Sequence, residues 1–311
     1  MPIDPTHRVT ATSLNFRSEP DSSRPSNKIA ALPQGQLVEK VADNGDGWWR
    51  IAVELDGAEC EGFVAARYLG ALAEPVPEGP SEPTFPEGSI PEAHLSENRD
   101  SVTRHVESGR AHPLGEPGRP GRASADPATR AAELSAIFDW LDVEHSARYS
   151  PTTKSTYCNI YAHDVTYLAG VYLPRVWWTT DAVTRILNGE QVPVLYDKTV
   201  VELNANRLLA WLSEFGRAFG WRRTLDLGQV QDAANVGSIG VIVARNHDSN
   251  RSGHIAVADR EGDDLQALRS DSVVTRPVMS QAGRSNRRRW LPTTPWWALS
   301  PHSAWAAWIH D

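Results

Sequence analysis

A proline-rich stretch in the first half of the chain constrains its folding more than any other feature. Between Pro75 and Pro127 lie ten of the 22 prolines in the 311-residue sequence, and Phe85 is the one large aromatic residue there. Proline has no backbone N–H to give to a helix or a sheet ladder. A segment so poor in large apolar side chains has little surface of its own to bury against the entropy of ordering. Residues 73–125 therefore read as an extended, disordered Pro/Gly-rich linker. It separates an N-terminal unit over 8–72 from a C-terminal unit over 126–311, both within normal domain sizes.

The two flanks differ in texture. Short alternating runs (Leu37 to Val41, Trp49 to Val53, Gly62 to Val64) are broken by turn signals at Pro33-Gln34-Gly35, Asn44-Gly45-Asp46-Gly47 and Asp56-Gly57, the pattern of a small all-β barrel. After the linker, Asp126 is placed to cap a helix with Pro127 at its first position, and Leu134, Ile137, Phe138 and Leu141 recur at helical spacing. Further helices are expected from Thr156 or Tyr157 to Ala169, over Thr180 to Leu187 and over Val201 to Phe219. Strands are expected at Ile239 to Ala244, His254 to Ala258 and Val273 to Met279. Helices first and strands later predict an α+β domain with helices packed on one antiparallel sheet.

Composition narrows the function classes. A formal net charge of -8 leaves no basic excess to displace counterions from phosphates, so nucleic acid is not expected as a partner. No apolar run approaches the ~20 residues that span a bilayer, so membrane insertion is not expected. The two cysteines, Cys60 and Cys158, fall in different units, which argues against a disulfide framework. The start, Met1-Pro2-Ile3-Asp4-Pro5, has neither the basic nor the apolar region of a signal peptide. A chain made in the cytoplasm and acting in the periplasm or cell wall would then need non-classical delivery. No P-loop, dinucleotide fingerprint or GxSxG is present, and His247 and His254 occur without HExxH or CxxC, so neither cofactor nor metal is expected.

The chemistry concentrates in two segments. Ser155-Thr156-Tyr157-Cys158-Asn159-Ile160 puts Cys158 in the first turn of a helix, where free N–H groups and the helix dipole favour a thiolate and predict a lowered pKa. Taken alone, a single cysteine is more often a small buried hydrophobe. The second segment, Ser252-Gly253-His254-Ile255-Ala256, opens an apolar strand with a histidine, and the preceding glycine gives the imidazole room at a sheet edge. A helix-start cysteine and a strand-borne histidine are the two parts an acyl-transfer site needs. The five tryptophans from Trp290 to Trp308 suit a substrate groove or a partner surface, with ordinary core packing the default for most.

Both units carry resemblances. Leu14-Asn15-Phe16-Arg17-Ser18-Glu19-Pro20, Leu32-Pro33-Gln34-Gly35, Gly47-Trp48-Trp49-Arg50-Ile51, Gly62-Phe63-Val64 and Tyr68-Leu69 resemble the bacterial SH3 family in order and spacing. Members of that family commonly tether an enzyme to bacterial cell wall; one of Trp48 and Trp49 is expected in the core. The Cys158 and His254 segments resemble the papain-like wall hydrolases, which include the NlpC/P60 and CHAP families and the amidase effectors of type VI secretion. Asn204-Ala205-Asn206 with Trp211, Ala234-Asn235-Val236-Gly237 and Ser280-Gln281-Ala282-Gly283-Arg284-Ser285-Asn286 look like the same group. Helices inserted around 175–220 lengthen the interval between cysteine and histidine relative to compact members.

The whole reads as a multidomain chain, a small all-β SH3-like barrel followed by an α+β papain-like cysteine hydrolase domain. The resemblance implies Cys158 as nucleophile and His254 as base, with a third residue accepting the second imidazole N–H. Gln281 is favoured for that place; Asp271 and Asp259 are the alternatives, Asp259 facing the opposite side of a regular strand from His254. The backbone N–H of Cys158 is a candidate oxyanion donor, with Tyr157 beside it. The implied activity is cleavage of a peptidoglycan amide, either the N-acetylmuramoyl-L-alanine bond or one in the stem peptide. A papain-like protease or deamidase toxin acting on a protein is the alternative. The implied partners are peptidoglycan, bound by the SH3-like domain and the catalytic groove, and for a secreted effector an immunity protein or a secretion-system component.

Overall fold

The computed structural model describes residues 3, 5–55, 57–72, 74–75, 85–86, 88–96 and 100–311. The chain divides into two compact units, 1–74 with 298–303 and 75–297 with 304–311. In the first, strands β1 (His7–Val9), β2 (Ser13–Arg17), β3 (Lys28–Pro33), β4 (Leu37–Asp43), β5 (Trp48–Leu55), β6 (Ala58–Ala65) and β7 (Leu69–Ala71) form one antiparallel sheet in the order β3-β2-β6-β5-β4-β1-β7. Val9, Leu14, Phe16, Leu32, Val38, Ile51, Val53 and Val64 make its core. The all-β reading is met. Neither tryptophan is central to that core: Trp49 lies against its margin, its Nε1 donating to Asp43 Oδ2 at 2.9 Å and Lys40 Nζ standing 3.7 Å over its ring. The turn residue Asp56 lies outside the described residues.

A two-residue strand, β8 (Glu74–Pro75), precedes the second unit's elements. These are α1 (Pro127–Leu141), α2 (Cys158–Leu168), β9 (Val176–Trp178), α3 (Thr180–Leu187), β10 (Val200–Glu202), α4 (Ala205–Glu214), β11 (Arg222–Thr224), α5 (Leu227–Asn235), β12 (Ile239–Asn246), β13 (His254–Ala258), β14 (Leu268–Ser270), β15 (Val273–Arg276), β16 (Met279–Gln281), β17 (Arg287–Trp290) and β18 (His302–His310). The central sheet runs β11-β18-β12-β13-β16-β17. Asp126 caps α1 by accepting from Thr129 N–H at 2.8 Å, with Pro127 in the first turn. The helix expected over 201–219 is instead β10, then α4 capped by Asn204, then a 3₁₀ turn. β-Branched Val200 and Val201 suit a strand, and the Asn204 side chain restarts the chain as helix.

Helices cover the sheet on both faces. Ile239, Val241 and Val243 of β12 join Ile255 and Val257 of β13 in a core with α1, α2 and α4. On the other face Gly240 meets Val230 of α5, which a Cβ there would crowd at 2.9 Å. This explains the nearly unbroken apolar run of β12: a strand buried on both sides loses its alternation.

The expected linker is the main correction. Ile90, Ala93, Leu95 and Leu114 are buried in the core of the second unit. Phe85 stacks on Phe215 with ring centroids 5.1 Å apart, Tyr172 Oη accepts from Ala93 N–H at 2.9 Å, and Trp178 Nε1 donates to the Pro91 carbonyl at 2.8 Å. Arg110 Nε donates to the Arg148 carbonyl at 2.8 Å, and Arg122 Nε to the Ala169 carbonyl at 3.2 Å. The segment cannot form a core of its own, but its few apolar side chains suffice to cover one built by other elements. Residues 73, 76–84, 87 and 97–99 of the expected linker lie outside the described residues.

Candidate active site

Cys158 opens α2 as its first residue and is 2% exposed. No side chain caps this helix, and the backbone N–H groups of Ile255 on β13, of Asn159 and of Cys158 itself each favour the thiolate form. Ile255 follows His254, so the thiol lies against the very start of the histidine strand. Burial outweighs these donors and pushes the Cys158 thiol above its ordinary value. That overturns the sequence expectation of a lowered pKa: a helix start lowers the cost of a thiolate, but desolvation raises it more.

His254 is half-buried at the head of β13, and burial holds its imidazolium below the ordinary histidine pKa against the opposing effect of Gln281. Its Nε2 lies 2.6 Å from Gln281 Oε1. Since an amide oxygen only accepts, Nε2 carries the hydrogen and Nδ1 is left basic. The sheet register accounts for the pairing. Val257 stands opposite Ser280 and Ala258 opposite Met279, so the next step puts Gln281 beside Ala256. Ala256 is two residues from His254, hence on the same face. Gln281 Nε2 donates to the Ser285 carbonyl at 3.2 Å, which keeps Oε1 turned to the imidazole. The two alternatives lie elsewhere: Asp259 is buried against Arg288, and Asp271 sits exposed at positive φ in the turn between β14 and β15.

Gly253 has a different reason from the one expected. A Cβ there would stand 1.9 Å from the Ala244 carbonyl oxygen and 2.7 Å from Asn206 Oδ1. Only glycine allows the hairpin from β12 to β13 to close that tightly. Asn206 Oδ1 accepts from Gly253 N–H at 2.8 Å and from Asn246 N–H at 3.0 Å, so the side chain pins both ends of the β12–β13 loop and sets where His254 begins. The remaining segments singled out in the sequence are structural clasps. Asn235 Oδ1 accepts from Glu261 N–H at 2.9 Å, and Asn286 Nδ2 donates to the carbonyls of Val143 at 2.8 Å and Tyr149 at 3.1 Å.

Sequence reasoning missed Trp296, whose ring stands edge-on to the His254 imidazole with centroids 4.7 Å apart. It also missed Arg110, whose guanidinium lies 3.6 Å over the Tyr157 ring at the mouth of α2. The tryptophan-rich tail signalled the first; nothing in the local sequence signalled the second. Trp297 and Trp308 are core residues. Among the described residues no three His, Cys, Asp or Glu side chains group to hold a metal, and no helix is long and apolar enough to cross a membrane.

Residues 12–70 match the bacterial SH3 domain family. That match covers the N-terminal sheet and stops short of the cysteine site. No curated protein matches the chain. A solved structure, NlpC2 from Trichomonas vaginalis, aligns with 93% of this chain and 74% of its own at 12% identity and a TM-score of 0.18, too low to carry an argument about fold.

Proposed function

We propose that the chain is a papain-like cysteine hydrolase that cleaves an amide bond of peptidoglycan. The observation that carries the reading is the pairing of His254 Nε2 with Gln281 Oε1 at 2.6 Å at the head of a strand whose next residue, Ile255, acts on the Cys158 thiol. With Nε2–H committed to Gln281, Nδ1 of His254 takes the thiol proton as Sγ attacks the acyl carbon. The imidazolium then returns the proton to the departing amine, and water hydrolyses the thioester with His254 again as base. Backbone N–H groups at the start of α2 are the candidate donors to the oxyanion. The bacterial SH3 domain supports a wall substrate, since such domains commonly bind peptidoglycan. Action in the periplasm or wall follows from that substrate. An immunity protein or secretion-system component belongs to the same reading if the chain is an effector.

Mass spectrometry of muropeptides after digestion tests this directly. Sacculi are expected to gain free amino and carboxyl groups and no new reducing sugar ends, and product masses name the bond as sugar–peptide or peptide–peptide. New reducing ends, or an unchanged muropeptide profile alongside cleavage of a protein, would defeat the reading.

The resting pair also predicts a pH profile. Both shifts favour neutral partners, thiol and imidazole. As pH falls, His254 gains a proton and loses its function as base, so kcat/KM declines along an acid limb centred below 6.5. The same sign holds for stability. A histidine whose folded pKa is depressed contributes stability that is present above its unfolded pKa and lost as pH falls through the folded one. The thiol, raised in the fold, contributes below its unfolded pKa and loses that contribution as pH rises through its folded value. An acid limb centred above 6.5 would contradict the assignment of His254 as base.

A further inference from the structure

We propose that Arg175 is a positioning residue of the Cys158 site, its buried guanidinium holding the first turn of α2 and setting beside the thiol a positive charge that Glu202 partly offsets. This rests on the reading of Cys158 as nucleophile. Arg175 lies just before β9 and is 5% exposed. Its fork is fully engaged: Nε donates to the Arg110 carbonyl at 2.8 Å, Nη1 to the Leu203 carbonyl at 3.3 Å, and Nη2 pairs with the Glu202 carboxylate. The Leu203 carbonyl also accepts from Asn159 Nδ2 at 2.8 Å. Asn159 is the residue after Cys158, so one carbonyl oxygen joins the guanidinium to the first turn of the cysteine helix.

Such an arrangement is costly unless it has a use. A buried guanidinium loses its hydration, and one carboxylate restores only part of that. Glu202 is itself shared: Tyr196 Oη donates to its other oxygen at 2.5 Å, on the wall of a cavity of about 600 Å³ that Arg110 also lines. The charge therefore faces α2 incompletely neutralised, and it opposes the effect of burial on the Cys158 thiol. Other charged and titratable groups stand near the same turn: the Arg110 guanidinium lies 3.6 Å over the Tyr157 ring, and His163 of α2 lies 3.2 Å from Asp164. Asp164 of α2 is paired with Arg148 of the 3₁₀ turn Ala147–Tyr149, and Asp139 of α1 with Arg288. Arg207 and Glu214 of α4 are exposed. β13 brings His254 and β16 brings no charge.

Alkylation of Cys158 by iodoacetamide across a pH series, read by peptide mass spectrometry so that Cys60 is counted separately, tests the assignment on the full chain. Arg175→Met is expected to move the alkylation midpoint up by about one pH unit, the scale of one nearby charge at low dielectric. Arg175→Lys retains the charge and is expected between that variant and the wild type. Glu202→Gln frees the guanidinium from its counter-charge and is expected to move the midpoint down. Opposite signs are what a merely structural pair would not give. If Arg175→Met fails to fold, Glu202→Gln carries the test alone. An unchanged or upward midpoint in that variant, or shifts of the same sign in both, overturns the proposal. The midpoint belongs to the thiol and needs no wall substrate. Uncut muropeptides with opposed shifts would reject the substrate and keep Arg175; cut muropeptides with unmoved midpoints would do the reverse.

Discussion

Cys158→Ala is expected to lower the rate of product release from purified sacculi by at least about a thousandfold, and His254→Ala to do the same. The double variant should be little worse than either single one, because nucleophile and base act as a unit and the first loss removes the function of both. The variants differ in their structural cost. Cys158 is a small buried side chain among core residues, so alanine there leaves a modest void and a protein that folds. His254→Ala removes the partner of Gln281 Oε1 and the edge contact to Trp296, and a small fall in melting temperature is expected with it. Initial rates on sacculi, with circular dichroism of each variant, check the prediction. Wild-type rates from Cys158→Ala would remove the cysteine from the mechanism.

The parts of this site legible in the sequence are those that follow from periodicity. A cysteine at a helix start and a histidine opening an apolar run are visible in one dimension, because cap position and strand onset leave local signals. Gln281 was reachable by parity once β13 and β16 were taken as neighbours, since residues two apart share a face. What stayed hidden depends on what surrounds a group rather than on its neighbours in sequence. The thiol's pKa direction is set by desolvation, which no local pattern encodes. Asn206 acts 47 residues away on Gly253, and its importance rests on a backbone approach that only coordinates reveal. Residues 88–96 and 100–125 were misread for a related reason. Scarcity of apolar residues rules out a self-sufficient core, yet Leu114 and Ile90 need only a surface offered by others. A fragment of the second unit cut at 125 would therefore strip part of its own core, and one that preserves it must begin upstream of Phe85.

The second large effect is on stability, at the buried pair behind the cysteine helix. Arg148 and Asp164 are both 0% exposed, joined by Nε to Oδ2 at 2.6 Å and Nη2 to Oδ1 at 3.2 Å. Burial alone would raise the Asp164 carboxyl, but Arg148 overrides it and holds the group below its usual range. A depressed carboxylate contributes stability above its unfolded pKa and loses it only as pH falls through the folded value, so at pH 7 the contribution is complete. Arg148→Met strands a buried carboxylate, and Asp164→Leu strands a buried guanidinium; each is expected to cost about 3–5 kcal/mol. The double variant should recover part of that loss, because apolar replacement of a whole buried pair is often close to neutral. Recovery stays incomplete for a specific reason. Tyr149 Oη donates to Asp164 Oδ2 at 2.9 Å, His163 Nδ1 lies 3.2 Å from Asp164 Oδ1, and Arg148 Nη2 donates to the His112 carbonyl at 2.9 Å; the double variant removes all three contacts. At about 1–3 kcal/mol for each stranded polar group, the double variant belongs between the single variants and the wild type. Urea unfolding of the four proteins at pH 7 measures the cycle. A single variant within 1 kcal/mol of wild type would show that solvent or a rearranged neighbour reaches the stranded charge, and that the pair is not what holds α2 against the 3₁₀ turn.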